Sequence, residues 1–198
     1  MGWIWLDALT DCEILYHGEA SDRYALEIVS GVLESANTDS GASGSEVLAT
    51  GAWRHFAWVL SGTGPGQLNT YLDGALEVAH EGNPAITTPT ALRLGGDSGF
   101  AMDGSMAHWK IWDAALSVPE IEAEILVAAP VRSANLHAYY PFTDTSTDQD
   151  DFSGNGRTLT VNGAFSDGGS GPTFGPPPPP SERSRFNLAA LLARGYGG

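Results

Sequence analysis

Trp53-Arg-His-Phe-Ala-Trp-Val-Leu60 is followed, across Gly62-Thr-Gly-Pro-Gly66, by Leu68-Asn-Thr-Tyr-Leu72, Asp73-Gly74 and Leu76-Glu-Val-Ala79. Phe56, Trp58 and Leu60 alternate with His55, Ala57 and Val59, the two-residue period of an extended strand. Gly62, Gly64 and Gly66 match neither the phosphate-binding loop nor the dinucleotide fingerprint, so the segment reads as a hairpin turn. Asp73-Gly74 is a tight-turn pair, because glycine accepts the positive φ that such a turn demands. Three apolar runs joined by short turns form an antiparallel meander, and that sets the class as all-β.

The same signals extend in both directions. Trp3 and Trp5 share one face of an extended segment, with Ile4 and Leu6 on the other. Tyr24-Ala-Leu-Glu-Ile-Val29 ends in Ser30-Gly31, a hairpin turn into Val32-Leu33-Glu34. Residues 35–46 are almost all small or polar and read as a flexible loop. Downstream, Ala91–Leu94 and Ser105-Met-Ala-His-Trp-Lys-Ile-Trp112 are two further strands. In the second, Ala107, Trp109 and Ile111 alternate against Met106, His108, Lys110 and Trp112. One helix is legible: Ser117 as N-cap, Glu120 completing a capping box, Pro119 in the first turn, and Ile121, Ile125 and Leu126 on the apolar side until Pro130. Leu136–Phe142 and Arg157–Val161 return to β structure. The pattern predicts a two-layer antiparallel sandwich with one short helix.

The 198 residues carry 24 acidic and 9 basic side chains, for a formal charge of −15. Such a surface repels phosphate backbones and argues against nucleic acid as a partner. No apolar run is long enough for a membrane-spanning helix. A single cysteine, Cys12, excludes an intrachain disulfide framework and reads as a small core residue. The opening Met-Gly-Trp-Ile-Trp-Leu-Asp7 lacks the basic and apolar regions of a signal peptide and is not read as one, which favours a virion location over an extracellular or cell-surface one.

Pro176–Pro180 is an unbroken proline run, a semi-rigid spacer of about 15 Å. Residues 176–198 hold three arginines and one glutamate, whereas the preceding residues hold the other six basic and twenty-three acidic side chains. The expected organisation is a sandwich over 1–175, a spacer over 176–180 and an anchoring tail over 181–198. In that tail Phe186, Leu188, Leu191, Leu192 and Tyr196 are too few for a core, and Arg183, Arg185 and Arg194 suit an acidic protein surface. The partner expected for it is a capsid, a phage tail, or further copies of this chain in a homo-oligomer.

Three stretches resemble the laminin-G-like branch of the concanavalin A-like lectin/glucanase jelly rolls. The first is Trp53-Arg-His-Phe-Ala-Trp-Val with Tyr71-Leu-Asp-Gly74. The second is Leu94-Gly-Gly with the block from Met102 through Ala114-Ala-Leu-Ser117 to Glu120-Ile121. The third is Ala138-Tyr-Tyr-Pro-Phe142 with Asp151-Phe-Ser-Gly-Asn-Gly156. The resemblance covers about residues 2–165 and implies a jelly-roll sandwich. The third block usually precedes the sandwich strands; here it follows them, so the arrangement looks permuted or truncated, and the early strands are expected to pair with late ones.

The related glucanases set their carboxylates along one strand as E-x-D-x-x-E, and no such motif occurs here, which argues against glycoside hydrolysis. Gly96-Asp97-Ser98-Gly99 has the look of a protease nucleophile loop, but no histidine motif accompanies it and a turn is the economical account. The five histidines have no close metal-ligand spacing, and His55 is read as structural. Trp53, Trp58 and Trp109 are core candidates by alternation, which leaves Trp112, at a strand end, as the candidate aromatic for a glycan. Laminin-G-like relatives often bind calcium at edge loops, and Asp150, Asp151 and Asn155 bring hard oxygen ligands into one turn, with a hydrogen-bonded Asx turn as the alternative. Two functions are therefore expected of a non-enzymatic module. One is a virion structural or adhesion protein, such as a phage decoration or fibre component. The other is a secreted or cell-surface carbohydrate-binding module.

Overall fold

The computed structural model describes residues 1–19, 22–38, 40–62, 66–81, 92–96, 99–142, 148–160 and 170–174. Two five-stranded antiparallel sheets face each other. Sheet A contains β1 (Gly2–Leu6), β6 (Trp53–Leu60), β7 (Leu68–Leu72), β8 (Ala75–His80) and β10 (Gly104–Ala107), in the order β10-β1-β6-β7-β8. Sheet B contains β2 (Cys12–Glu19), β3 (Asp22–Val29), β4 (Val32–Asn37), β5 (Gly41–Val47) and β9 (Arg93–Leu94), in the order β5-β4-β3-β2-β9. Ile4, Leu6, Phe56 and Leu72 from sheet A meet Ile14, Leu26, Ile28 and Leu33 from sheet B in one core. The expected jelly-roll sandwich is the observed architecture.

The turns form for the reason their sequences give. Ser30 and Gly31 have φ of 52° and 81°, and Asp73 and Gly74 have 48° and 86°. Two successive positive φ values give a turn whose twist matches that of its strands. The early-with-late pairing is met by β1, which lies between β6 and β10. The third motif block closes elsewhere: β12 (Leu136–Tyr140) pairs with β11 (Trp109–Trp112), and β13 (Asp148–Gln149) with β14 (Leu159–Thr160).

Two local expectations are corrected. Residues 35–46 belong mostly to β4 and β5, not to a flexible loop. The continuous strand expected over 105–112 breaks at His108, whose φ is 51°. That break sends β10 to sheet A and β11 to β12. The helix α1 (Val118–Ile125) starts as expected, with the Glu120 carboxylate accepting from the Ser117 N–H at 2.8 Å and from its hydroxyl at 2.7 Å. Among the described residues no helix is long and apolar enough to cross a membrane.

Candidate functional site

Strand alternation in β1 and β6 turns Ile4, Leu6 and Phe56 inward, and so turns Trp3, Trp5, Trp53 and His55 to the outer side of sheet A. Trp5 lies directly across from Trp53, with ring centroids 6.0 Å apart. Each indole N–H is already engaged: Trp5 donates to Asp7 Oδ1 at 3.1 Å, and Trp53 to the Ser170 carbonyl at 3.0 Å. What these two half-buried rings still offer is their π-faces.

A series of ring contacts, part of it buried, continues away from that pair. Trp3 stands edge-on to His55 at 5.2 Å and to Phe174 at 6.0 Å. Phe174 meets His108 at 5.0 Å, and His108 stacks on Tyr139 at 6.5 Å with Nδ1 3.2 Å from the phenol oxygen. Tyr139 then meets Phe152, which is 64% exposed, at 6.5 Å. Burial, and then the charge of Lys110, lowers the pKa of His108, which favours the neutral imidazole. Burial holds His55 further down, helped by the Met1 ammonium and Lys110. His55 Nδ1 has no hydrogen-bond partner among the described residues, which agrees with a structural place under Trp3.

The loop expected to hold calcium is closed upon itself. Asp151 Oδ1 accepts from the N–H groups of Tyr139 (3.0 Å) and Ser153 (2.8 Å). Its Oδ2 accepts from the Ser153 hydroxyl (2.9 Å) and the Arg157 N–H (3.1 Å). Burial raises the pKa of this carboxyl, but those four donors outweigh it and hold it at about 2. Asn155 donates its NH2 group to the carbonyls of Leu136 (2.8 Å) and His137 (3.0 Å), which ties the side chain to β12. Asp150 is exposed. The donor set does not fit calcium, and among the described residues no three His, Cys, Asp or Glu side chains are grouped to hold a metal.

Among the tryptophans, Trp109 fills the core against Phe56 at 4.9 Å. Trp58 is half-buried and donates to Ser35 Oγ at 2.9 Å. Trp53, expected in the core, faces outward. Trp112 is half-buried, with its N–H on the Arg132 carbonyl at 2.8 Å, and no second ring stands beside it among the described residues. Arg183, Arg185, Phe186, Leu188, Leu191, Leu192, Arg194 and Tyr196 lie outside the described residues, as do Asp97 and Ser98. Trp5, Tyr139, Phe152 and Phe174 were not anticipated. The Trp3/Trp5 alternation carried a signal for the first of these, while nothing in the sequence joins Phe174 to β1.

Most carboxylates near these elements serve the fold. Glu124 pairs with Lys110 at 2.9 Å, Asp73 and Glu46 hold Arg54 at 2.6 Å each, and Asp113 holds His137 at 2.9 Å. One row differs. Glu13, Glu27 and Glu34 are cross-strand neighbours on β2, β3 and β4. Burial, with Glu13 and Glu34 reinforcing it and Arg23 opposing it, raises the pKa of Glu27.

The sequence matches the laminin-G-type family described as "Concanavalin A-like lectin/glucanases superfamily" over residues 3–122. Among solved structures, the native heptameric SAP-like pentraxin from Limulus polyphemus is 19% identical, with a TM-score of 0.47 over 66% of this chain and 70% of that one. No curated protein matches it.

Proposed function

We propose a non-catalytic binding role for this chain, which belongs to the Concanavalin A-like lectin/glucanases superfamily. In this reading the lectin-type sandwich is a phage virion component, a decoration or fibre protein attached through residues 181–198. The observation that carries it is the seating of residues 170–174 on sheet A. Ser170 takes the Trp53 N–H and Phe174 packs on Trp3 and His108, so a basic tail leaves an acidic body from a fixed place. A truncation ending at Gly175 is the test. It folds and melts like the full chain yet no longer joins its particle or oligomer; normal assembly of the truncated form refutes the attachment.

The outward Trp5–Trp53 pair favours a second reading, a secreted or cell-surface carbohydrate-binding module, because paired indole faces suit the apolar face of a pyranose ring. Binding of soluble oligosaccharides that Trp53→Ala removes would select it over the first. The non-catalytic part of both readings is tested at Glu27, the carboxyl with a raised pKa beside other carboxylates. No turnover on β-glucans, xyloglucans or peptides is expected. Measured turnover abolished by Glu27→Gln would make the chain an enzyme.

A further inference from the structure

On the outer side of sheet A, two aromatic faces, a hydroxyl and a carboxylate meet at one corner. Trp5 and Trp53 stand across from each other on β1 and β6, and Ser105 stands across from Trp5 on β10. Ser105 shares the outer side, because its neighbour Met106 packs against the core. The indole rings are tilted by 60° with centroids 6.0 Å apart. Rings at that angle form a corner for one sugar ring, whereas a flat polymer surface calls for coplanar rings. Asp7 lies next on the same side of the chain. Its Oδ1 takes the Trp5 N–H at 3.1 Å, which holds the carboxylate at the edge of the indole. Its Oδ2 has no hydrogen-bond partner among the described residues. Asp7 is exposed, as are Gly51, Ala52 and Ser170 beside Trp53. The basic side chain that follows Trp53, Arg54, is taken up by Glu46 and Asp73. A ligand at this corner therefore meets negative charge, on a chain whose formal charge is −15. Such a field repels sugars that carry carboxylate or sulfate and favours one that carries an ammonium.

We propose that Trp5, Trp53 and Asp7 bind a single amino-sugar pyranose, with its apolar face on the indoles and its ammonium on Asp7 Oδ2. Ser105 offers a hydroxyl on the same side for the hydroxyls of the sugar. The assignment rests on the carbohydrate-binding reading above, whose substrate class it names.

The full chain is titrated with the methyl glycosides of glucosamine, glucose and glucuronic acid, followed by tryptophan fluorescence at pH 6, where a sugar amine carries its proton. The glucosaminide is expected to bind at least about threefold tighter than the glucoside, the effect of an exposed charge pair. The glucuronide is expected to bind more weakly than either. Added sodium chloride should shrink these differences by screening. Asp7→Asn keeps an acceptor for the Trp5 N–H and removes only the charge. It is expected to bring the glucosaminide to the affinity of the glucoside, with the melting temperature unchanged. Equal affinity for the glucosaminide and the glucoside overturns the amino-sugar assignment and leaves the carbohydrate reading standing. So does a glucosaminide preference that survives Asp7→Asn. If none of the three glycosides binds, and no soluble oligosaccharide does either, the carbohydrate reading falls and the assignment falls with it.

Discussion

Lys110 is the chain's one lysine, and it is buried. Its three ammonium hydrogens meet three acceptors: the Glu124 carbonyl (3.0 Å), Glu124 Oε2 (2.9 Å) and the Val127 carbonyl (2.9 Å). Glu124 Oε1 accepts from the N–H groups of Val131 (2.9 Å) and Arg132 (2.7 Å). One ion pair therefore caps the C-terminal end of α1 with a cation and fastens the turn that follows. Burial lowers the lysine's pKa, while the hydrogen bond and charge of Glu124 oppose it. Removing one partner strands the other charge, so Lys110→Met or Glu124→Gln is expected to cost about 3–5 kcal/mol in denaturant unfolding. The double substitution Lys110→Met/Glu124→Gln is expected to cost less than the two single losses combined; strict additivity would show that the pair is not coupled. Asp151 makes a second prediction at this scale. Its carboxyl is held down to about 2, so its contribution is present above the ordinary carboxylate range and fades as the pH falls toward 2. Asp151→Asn is expected to cost about 1–2 kcal/mol at pH 7, after allowing for solvent screening of a half-buried group. The cost should shrink toward zero in acid, and a cost independent of pH would mean that the donors do not need the charge.

Strand β5 shows how an element without a hydrophobic pattern is still held. Its Gly-Ala-Ser-Gly-Ser-Glu-Val sequence presents no buried face, which is why alternation could not reveal it. It forms because β4 pairs with it and because Glu77 of β8 reaches across to accept from the N–H groups of Ser45 (2.5 Å) and Glu46 (2.6 Å). A side chain from the opposite sheet thereby covers donors that an edge strand would otherwise expose to another chain. The break at His108 was hidden for a related reason: Ala107, Trp109 and Ile111 alternate as one strand would, while the partners on either side belong to different sheets. Hairpins were legible because their turn residues act locally. The shared face of Trp3 and Trp5 is legible in alternation, whereas Trp53, expected in the core, joins that face only through the pairing of β1 with β6. The Phe174 contact was not legible, since only folding brings it to Trp3. Sheet B also carries the glutamate row, where like charges face each other across strands. The raised pKa of Glu27 means that stability is full below the ordinary glutamate value and is lost as the pH rises through the raised one. Glu27→Gln is expected to raise stability at pH 7 by several tenths to about 1 kcal/mol, with no gain near pH 3. A loss at pH 7 would mean that Arg23 outweighs the two glutamates.

Over the whole molecule acidic side chains outnumber basic ones, 24 to 9. The formal charge is −15; among the described carboxylates Asp151 is engaged by N–H groups, while Glu27 is lined up with Glu13 and Glu34 along a sheet. A charge of that size destabilises a compact body through self-repulsion, and dissolved ions relieve it by screening. A specific calcium site would behave differently, because selectivity comes from converging oxygen ligands at short distance. In the 150–156 loop both Asp151 oxygens already accept hydrogen bonds, and opening them would strip four donors from that carboxylate. Cations are therefore expected to stabilise the chain through ionic strength alone. Millimolar calcium should raise the melting temperature no more than magnesium at the same concentration, and sodium chloride at matched ionic strength should do much of the same. Calorimetric scans in chelator, calcium, magnesium and sodium chloride check this. An increment of more than about 2 °C that calcium gives and magnesium does not would correspond to a bound ion worth a few tenths of a kcal/mol or more, and would restore the metal site to this loop.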